Sequence, residues 1–328
     1  MTKYFLGVDV GATKTHAMVA SDRGEILSLG RAGRGNPSLI GYDKFGGVVN
    51  QAVEQALSQA KLTVKQISGA GFGVAGYDWD SQNAKTLQAI ESTIDLKAPH
   101  EIVNDSVLGL LANARHGWGI SLVAGTGCNC WGRNQRGEYG RVTGYGDELG
   151  EYAGGSELVD RATHLVAYEW TGRGQATALT QAFIKKTGAK NLADLIEGLS
   201  EKSYLLAADS APLIFECAAQ GDQAALDLLQ WAGNELGEMV IAVARQINAL
   251  HSAPDVVLIG GLFKGTPSLK SLVAEKVNSV IPKVTYLPMQ APPAVGAVVL
   301  GMEQAGMSAN AVQSARIEMQ IKAANFRL

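Results

Sequence analysis

One order of elements is spelled twice along this chain, and no other feature restricts the fold as strongly. Residues 4–10 form an apolar run with β-branched and aromatic members that ends at Gly11. Residues 15–20 repeat that character, and Asp22-Arg23-Gly24-Glu25 turns the chain into a third run at 26–29. In the middle of the chain, residues 120–124 run into Gly125-Thr126-Gly127. Residues 129–133 return, and Gln135-Arg136-Gly137-Glu138 turns again. Two strand–turn–strand meanders of one design imply two related units facing a shared cleft. The length of 328 residues accommodates them at roughly 100–200 residues per domain.

The intervening segments alternate in type. Phe45, Val48, Val49, Ala52, Val53, Ala56, Leu57 and Ala60 follow the i, i+3, i+4 spacing of an amphipathic helix. A buried strand is expected at 67–74, a helix at 84–94, and a short strand at 101–103 ending in Asn104-Asp105. This alternation predicts an α/β fold. The second half is richer in helix, notably 223–250, and closes with strand 255–259, the Gly260-Gly261 turn and helix 294–304. The spacing therefore predicts a first unit over 1–112, a second over 113–304, and a tail, 305–328, packing back on the first.

Composition excludes several classes of function. With 46% hydrophobic and 18% charged residues, the chain is too apolar for disorder. A net charge of −3 offers no basic footprint for a phosphate backbone, so no nucleic acid partner is expected. The 3 cysteines lack metal-site spacing, which points to a reducing, cytoplasmic compartment without disulfides. The first residues read as a strand rather than a signal peptide. The longest charge-free stretches, 116–132 and 286–302, are interrupted by Gly or Pro, so no membrane partner is expected either. Glycine is abundant, 39 residues against an average near 7%, as in chains whose backbone turns tightly or approaches a ligand.

Several segments carry potential chemistry. In L-G-V-D-V-G-A-T-K-T, residues 6–15, an acidic residue ends a strand and a glycine-opened turn offers backbone N–H groups to phosphate oxygens. Gly11, Thr13, Lys14 and Thr15 are its candidate nucleotide contacts. Asp9 is placed to hold Mg²⁺, through water. This is not a P-loop, since G-x-x-x-x-G-K-[ST] is absent. A-G-T-G-C-N-C-W-G, residues 124–132, would meet the other side of the same phosphate chain with Thr126 and Gly127. Cys128 and Cys130 have no partner cluster of further ligands in the sequence, which argues against a metal pair. In V-N-D-S, residues 103–106, Asp105 reads either as a helix cap or as a carboxylate that accepts a hydroxyl proton in phosphoryl transfer. Gly260-Gly261 ends a buried strand where a flat ring such as adenine could approach the backbone. Residues 71–76 fit G-x-G-x-x-G, but Tyr77-Asp78-Trp79-Asp80 follows where the dinucleotide fingerprint would open a helix.

Taken in order, Asp9 with 11–15, residues 71–76, Asn104-Asp105, residues 125–127, Gly260-Gly261 and Pro293-x-x-Gly296-Ala297 resemble the motif series of the actin-like ATPase superfamily, which includes sugar kinases, actin and heat-shock chaperones. The resemblance is strongest to its BadF/BadG/BcrA/BcrD-type branch, which contains N-acetylglucosamine kinases, and runs from Tyr4 to about Gly306. Gly33-x-Gly35-Asn36-Pro37 and Gly146-Asp147-Glu148 are further features of that branch. The resemblance implies two ribonuclease-H-like domains around a central cleft, with ATP and Mg²⁺ between the hairpins and a small-molecule sugar deeper in. It makes Asp105 the base, and places Asn36, Gly76, Asn104, Asn129 and Asp147 on the sugar. Thr13, Thr126 and Gly127 would contact phosphates, and Gly260 and Gly261 the adenosine. N-acetylglucosamine kinases of the branch commonly carry Trp-Gly before the Gly-Asp-Glu motif and Gly-Ser after it. Here Val142-Thr143-Gly144-Tyr145 and Leu149-Gly150-Glu151 stand there, which leaves glucosamine or another sugar open. The branch also includes iron–sulfur ATPases that activate CoA-linked reductases and dehydratases, and a catalytically silent sugar or nucleotide sensor is a third class. The oligomeric state stays open, a homodimer among the outcomes.

Overall fold

The computed structural model describes residues 2–146, 148–265 and 267–323. The first unit comprises β1 (Tyr4–Val10), β2 (Thr15–Ser21), β3 (Ile26–Ala32), α1 (Pro37–Ile40), α2 (Tyr42–Ala60), β4 (Ile67–Val74), α3 (Asn83–Glu91), β5 (His100–Asn104) and α4 (Asp105–Asn113). The second begins with β6 (Gly119–Ala124), β7 (Cys128–Arg133) and β8 (Tyr139–Val142). It continues through α5 (Gly155–Thr171), α6 (Ala178–Thr187), α7 (Leu192–Ser200), α8 (Ala211–Ala219), α9 (Gln223–Gln246), β9 (Asp255–Ile259), α10 (Leu262–Gly265), α11 (Pro267–Asn278) and β10 (Thr285–Pro288). The last helices are α12 (Pro293–Gln304) and α13 (Ala309–Ala323).

The two sheets share one topology. The first has strand order β3-β2-β1-β4-β5 and the second β8-β7-β6-β9-β10. In each, the leading meander is antiparallel and the two later strands run parallel to its first strand. The register brings Asp9 opposite His16 on β2 and Gly73 on β4, at the carboxyl ends of β1 and β4. Strands flanked by helices on both faces read as near-continuous apolar runs, and β2 is buried along its whole length.

Helix α12, assigned by its place in the sequence to the second unit, packs instead on β1 and β4 of the first sheet and on α4. Val295, Ala297, Val298 and Leu300 share a buried cluster with Phe5, Met18 and Leu108. A boundary at 304 therefore falls too late. The chain re-enters the first unit at α12, a helix apolar on nearly every face whose residues 294–302 are all buried there. Helix α13 lies beside it, with Arg316 Nη2 donating to Arg115 O and Gln320 Nε2 to Ala112 O, both at 2.6 Å. Residues 324–328 of the expected tail lie outside the described residues.

Polar side chains tie the second sheet to the first unit. Arg133 on β7 pairs with Glu303 at 2.8 Å. The Tyr139 hydroxyl donates to Glu101 Oε1 at 3.2 Å, and Gln304 Nε2 donates to the other Glu101 oxygen at 2.6 Å. No helix among the described residues is long and apolar enough to cross a membrane.

Candidate active site

The first turn, between Val10 and Thr15, is closed by Gly11 N donating to Lys14 O at 2.9 Å. Thr13 and Lys14 stand exposed on it. Thr15 does not: it is fully buried, and its hydroxyl donates to Gly33 O at 3.0 Å. The expectation of a phosphate contact from the Thr15 side chain is thus corrected, because its hydroxyl is spent on the backbone of the 33–36 loop. That loop is also held by Gly35 N donating to Gly11 O at 3.0 Å. It brings Asn36 against Gly76, whose missing side chain would lie 2.7 Å from Asn36 Oδ1. Asn36 caps α1 by accepting from Ser38 N at 2.8 Å.

At the end of β5 the chain enters α4. Its N-cap is Asn104, whose Oδ1 accepts from Ser106 N at 2.9 Å and whose Nδ2 donates to Asp78 Oδ1 at 2.9 Å and Tyr77 O at 3.2 Å. The cap is therefore made by Asn104, one residue before Asp105. Asn104 is 1% exposed with its amide committed on both sides, so it holds the neighbouring groups in place. Asp78 carries no motif and was invisible to sequence reasoning. So was Ser106, which donates to Asn129 Oδ1 at 2.8 Å and links the start of α4 to β7 of the second unit.

Beyond Asn129 lies the second turn. Gly125 N donates to Gly127 O at 2.9 Å, and added side chains at Gly125 or Gly127 would meet only open space. The N-terminus of α5 braces it: Gly155 N donates to Gly125 O at 2.8 Å and Ser156 N to Thr126 O at 2.9 Å. Gly260 abuts the same turn at φ +111°, a conformation that excludes other residues, and a Cβ there would fall 2.1 Å from Ala124 O. Gly261 faces open space. Glu151 gathers the loop before the Gly-Asp-Glu motif, accepting from Thr143 Oγ1 at 3.0 Å, Tyr145 N at 2.8 Å and Gly144 N. Asp147 lies outside the described residues.

The electrostatics mark Asp9 and Asp105. Burial, reinforced by the Asp105 carboxylate, pushes Asp9 up to about 7 against the pull of Lys14. Burial and the Asp78 carboxylate push Asp105 up to about 6, against the backbone N–H groups at the helix start. Two partly buried carboxylates, with Asp105 adding to the cost of ionising Asp9 and Asp78 to that of ionising Asp105, are a fitting place for a divalent cation, which would relieve the repulsion and which takes one or two carboxylates with water. Asp9 is the residue to hold it. In the nucleotide-free protein the same burial is a stability cost. The folded pKa of Asp9, about 7, lies above the ordinary 3.8, so the cost is absent below about pH 4, grows through the interval and is complete above about 7. Asp9→Asn should therefore raise the thermal midpoint at pH 8, by a stabilisation on the order of 2–4 kcal/mol at ~1.4 kcal/mol per pKa unit. It should leave the midpoint unchanged near pH 4. Equal midpoints at pH 8 would show that Asp9 is solvated.

Asp9 thus lies on the strand that leads into the first turn, and Asp105 begins the helix whose Ser106 bonds Asn129 just past the second. The arrangement can hold a phosphate chain between the turns and present a hydroxyl to Asp105. The sequence profile of the BadF/BadG/BcrA/BcrD ATPase family matches residues 6–301. The chain belongs to that family. It is 24% identical over 311 residues to the N-acetyl-D-glucosamine kinase of Dictyostelium discoideum, covering 91% of this chain and 97% of that one. It is 23% identical over 307 residues to the N-acetylmuramic acid/N-acetylglucosamine kinase of Clostridium acetobutylicum, covering 92% and 99%. Among solved structures, a candidate N-acetylglucosamine kinase of Chromobacterium violaceum aligns with TM-score 0.64 at 24% identity over 91% of this chain and 98% of that one. A ROK family glucokinase from Streptomyces griseus, in complex with glucose and AMPPNP, aligns with TM-score 0.55 at 18% identity over 92% and 99%. The chain thus shares the two-unit α/β fold of these solved structures.

Proposed function

We propose that this protein is an ATP-dependent kinase that transfers the γ-phosphoryl group of ATP to the 6-hydroxyl of an amino sugar, N-acetylglucosamine first. The observation that carries the reading is Asp105, at the first position of α4 beside Asp9, with its carboxyl pushed up to about 6. Asp105 accepts the proton of the attacking hydroxyl. The sugar oxygen forms its bond to the γ-phosphorus as the bond to the β–γ bridging oxygen breaks, and ADP leaves. A bound Mg²⁺ at Asp9 supplies neutralisation of phosphate charge. Thr13, Lys14, Thr126 and the backbone of Gly11 and Gly127 face the phosphates, with Gly260 and Gly261 at the nucleoside. Asn36, Gly76 and Asn129 face the sugar, and Asn104 orients Asp78 and the start of α4. Asp147 is assigned to the sugar by its motif. Both curated relatives are kinases of N-acetylated amino sugars by name, which supports the acceptor class. The buried positions of Cys128, Cys130 and Cys217 speak against the iron–sulfur activator reading, since no thiol is offered at a surface.

A coupled ADP-release assay over N-acetylglucosamine, glucosamine, N-acetylmannosamine, N-acetylmuramate and glucose tests the reading. The expected order in kcat/KM places N-acetylglucosamine first and glucose poor. Glucose as the best acceptor would overturn the amino-sugar assignment, and no turnover with any sugar would overturn the kinase. The pH profile adds a second check. Asp105 works as a base only when ionised, so kcat should fall as pH drops through about 6. Asp78→Asn keeps an oxygen for Asn104 but removes the charge that raises Asp105, so its acid limb should move to lower pH. An unmoved limb would mean that Asp78 does not act on the base.

A further inference from the structure

A cavity of about 270 Å³ lies between the two units, along the outer edge of β5 and beneath the β7–β8 hairpin, and the phosphoryl-transfer reading does not use it. Its walls come from both sides: Tyr77, Asp78 and Trp79 from the first unit, Trp131, Tyr139 and Arg141 from the second. We propose that this cavity is a second saccharide subsite, which takes a neutral hexose ring joined to the ring that is phosphorylated. The inference rests on the kinase reading and extends it from a monosaccharide to a disaccharide acceptor.

Continuity with the reacting centre comes first. Asn104 and Asp78 line the cavity, are hydrogen-bonded to each other, and immediately precede or electrostatically perturb Asp105. Asp105, Asn36, Gly76 and Asn129 do not line it, so it neighbours the reacting ring's position and does not coincide with it.

The lining then selects the ligand. Four aromatic side chains give flat apolar faces with polar edges, the surface that matches a sugar ring's C–H face and hydroxyl rim. Trp131 is 5% exposed, yet its Nε1–H is buried without an acceptor. A hydroxyl or amide oxygen in the cavity would satisfy it. Arg141 is stacked between Trp79 and Trp131, at 5.3 and 5.5 Å from their ring centroids. Its ion pair with Asp80 is long, 3.5 Å, to a carboxylate almost fully in water. Its guanidinium is thus positioned by stacking, with donors left for a ligand. Asp78, Asp80 and Glu101 line the same space, so an anionic substituent would meet three carboxylates against one arginine. A neutral ring can use donors and acceptors of both kinds. The volume lies just under the roughly 300–1,000 Å³ of drug-sized sites, which suits one ring and not a chain.

The test compares N-acetylglucosamine with N,N′-diacetylchitobiose in the wild type, Trp131→Phe and Trp79→Ala, the first variant keeping an aromatic ring while deleting the N–H. The wild type should phosphorylate the disaccharide. Each variant should lower its kcat/KM at least tenfold more than that of the monosaccharide. A wild type that does not accept the disaccharide, or variants that alter both acceptors by the same factor, would overturn the subsite. A preference for N-acetylmuramate lost in Arg141→Met would replace the neutral ring with an anionic group and likewise overturn it. Should no sugar be phosphorylated, the kinase reading fails by itself. Calorimetry with AMPPNP then reads the subsite directly: tighter binding of the disaccharide than of the monosaccharide, weakened in Trp131→Phe, retains it, and equal binding of the two ends it.

Discussion

Asp105→Asn should lower kcat by about 10²- to 10⁴-fold while leaving the affinity for MgATP close to that of the wild type, because the loss is that of a positioned general base. The fold should survive the change. The helix cap is Asn104, whose side chain accepts from Ser106 N, so α4 does not depend on the Asp105 carboxylate for its start. The substitution also removes a partly buried carboxylate that adds to the cost of ionising Asp9, so the nucleotide-free variant should be at least as stable as the wild type at neutral pH. Wild-type turnover in the variant would reduce Asp105 to a structural residue and remove the chemical step from the account.

The second large effect is structural and acts on the same residue from behind. Gly296 of α12 crosses α4 so closely that an added Cβ would lie 2.0 Å from Leu108 O and 3.0 Å from Ala112 N. Gly7 on β1 meets the same helix, with a Cβ 2.4 Å from Val298 N. The obstructing atoms are backbone on both sides, so no rotamer change relieves them. Gly296→Val should destabilise the protein by at least the ~1–3 kcal/mol typical of overpacking. It should also lower kcat in the folded fraction, since α4 carries Asp105 at its first position. Gly47 of α2 is the internal control, because a Cβ there would meet nothing within 4 Å. Gly47→Ala should stabilise by about 0.5–1 kcal/mol, through helix propensity and chain entropy alone. Chemical denaturation of the two variants checks both signs. A neutral Gly296→Val would show that α12 and α4 can part without cost.

What was legible in the sequence depended on how local its cause is. The two meanders, their Gly/Thr turns and strand 255–259 are written in alternation and turn chemistry, and the observed strands match them closely: β9 is Asp255–Ile259, and β1 and β2 end within a residue of the reading. The helix expected over 223–250 stops at Gln246, where Ile247 leaves helical geometry and Asn248 takes positive φ. The return of α12 to the first unit was hidden because an apolar helix does not say in its own residues which sheet will cover it. The site followed the same division. Asp9 and Asp105 could be picked out as acidic residues at strand ends. The inward turn of Thr15, the Asp78–Asn104 bond and the Ser106–Asn129 link across the units are tertiary facts, joining residues up to 26 positions apart with no motif between them.

The most direct test of the central claim is a ¹H–³¹P correlation spectrum of the products formed from ATP and N-acetylglucosamine. The account predicts a sugar phosphate in one-to-one yield with ADP, its phosphorus coupled to the two protons on C6. ADP accompanied only by inorganic phosphate, or phosphorus coupled to no sugar proton, would contradict phosphoryl transfer to the acceptor.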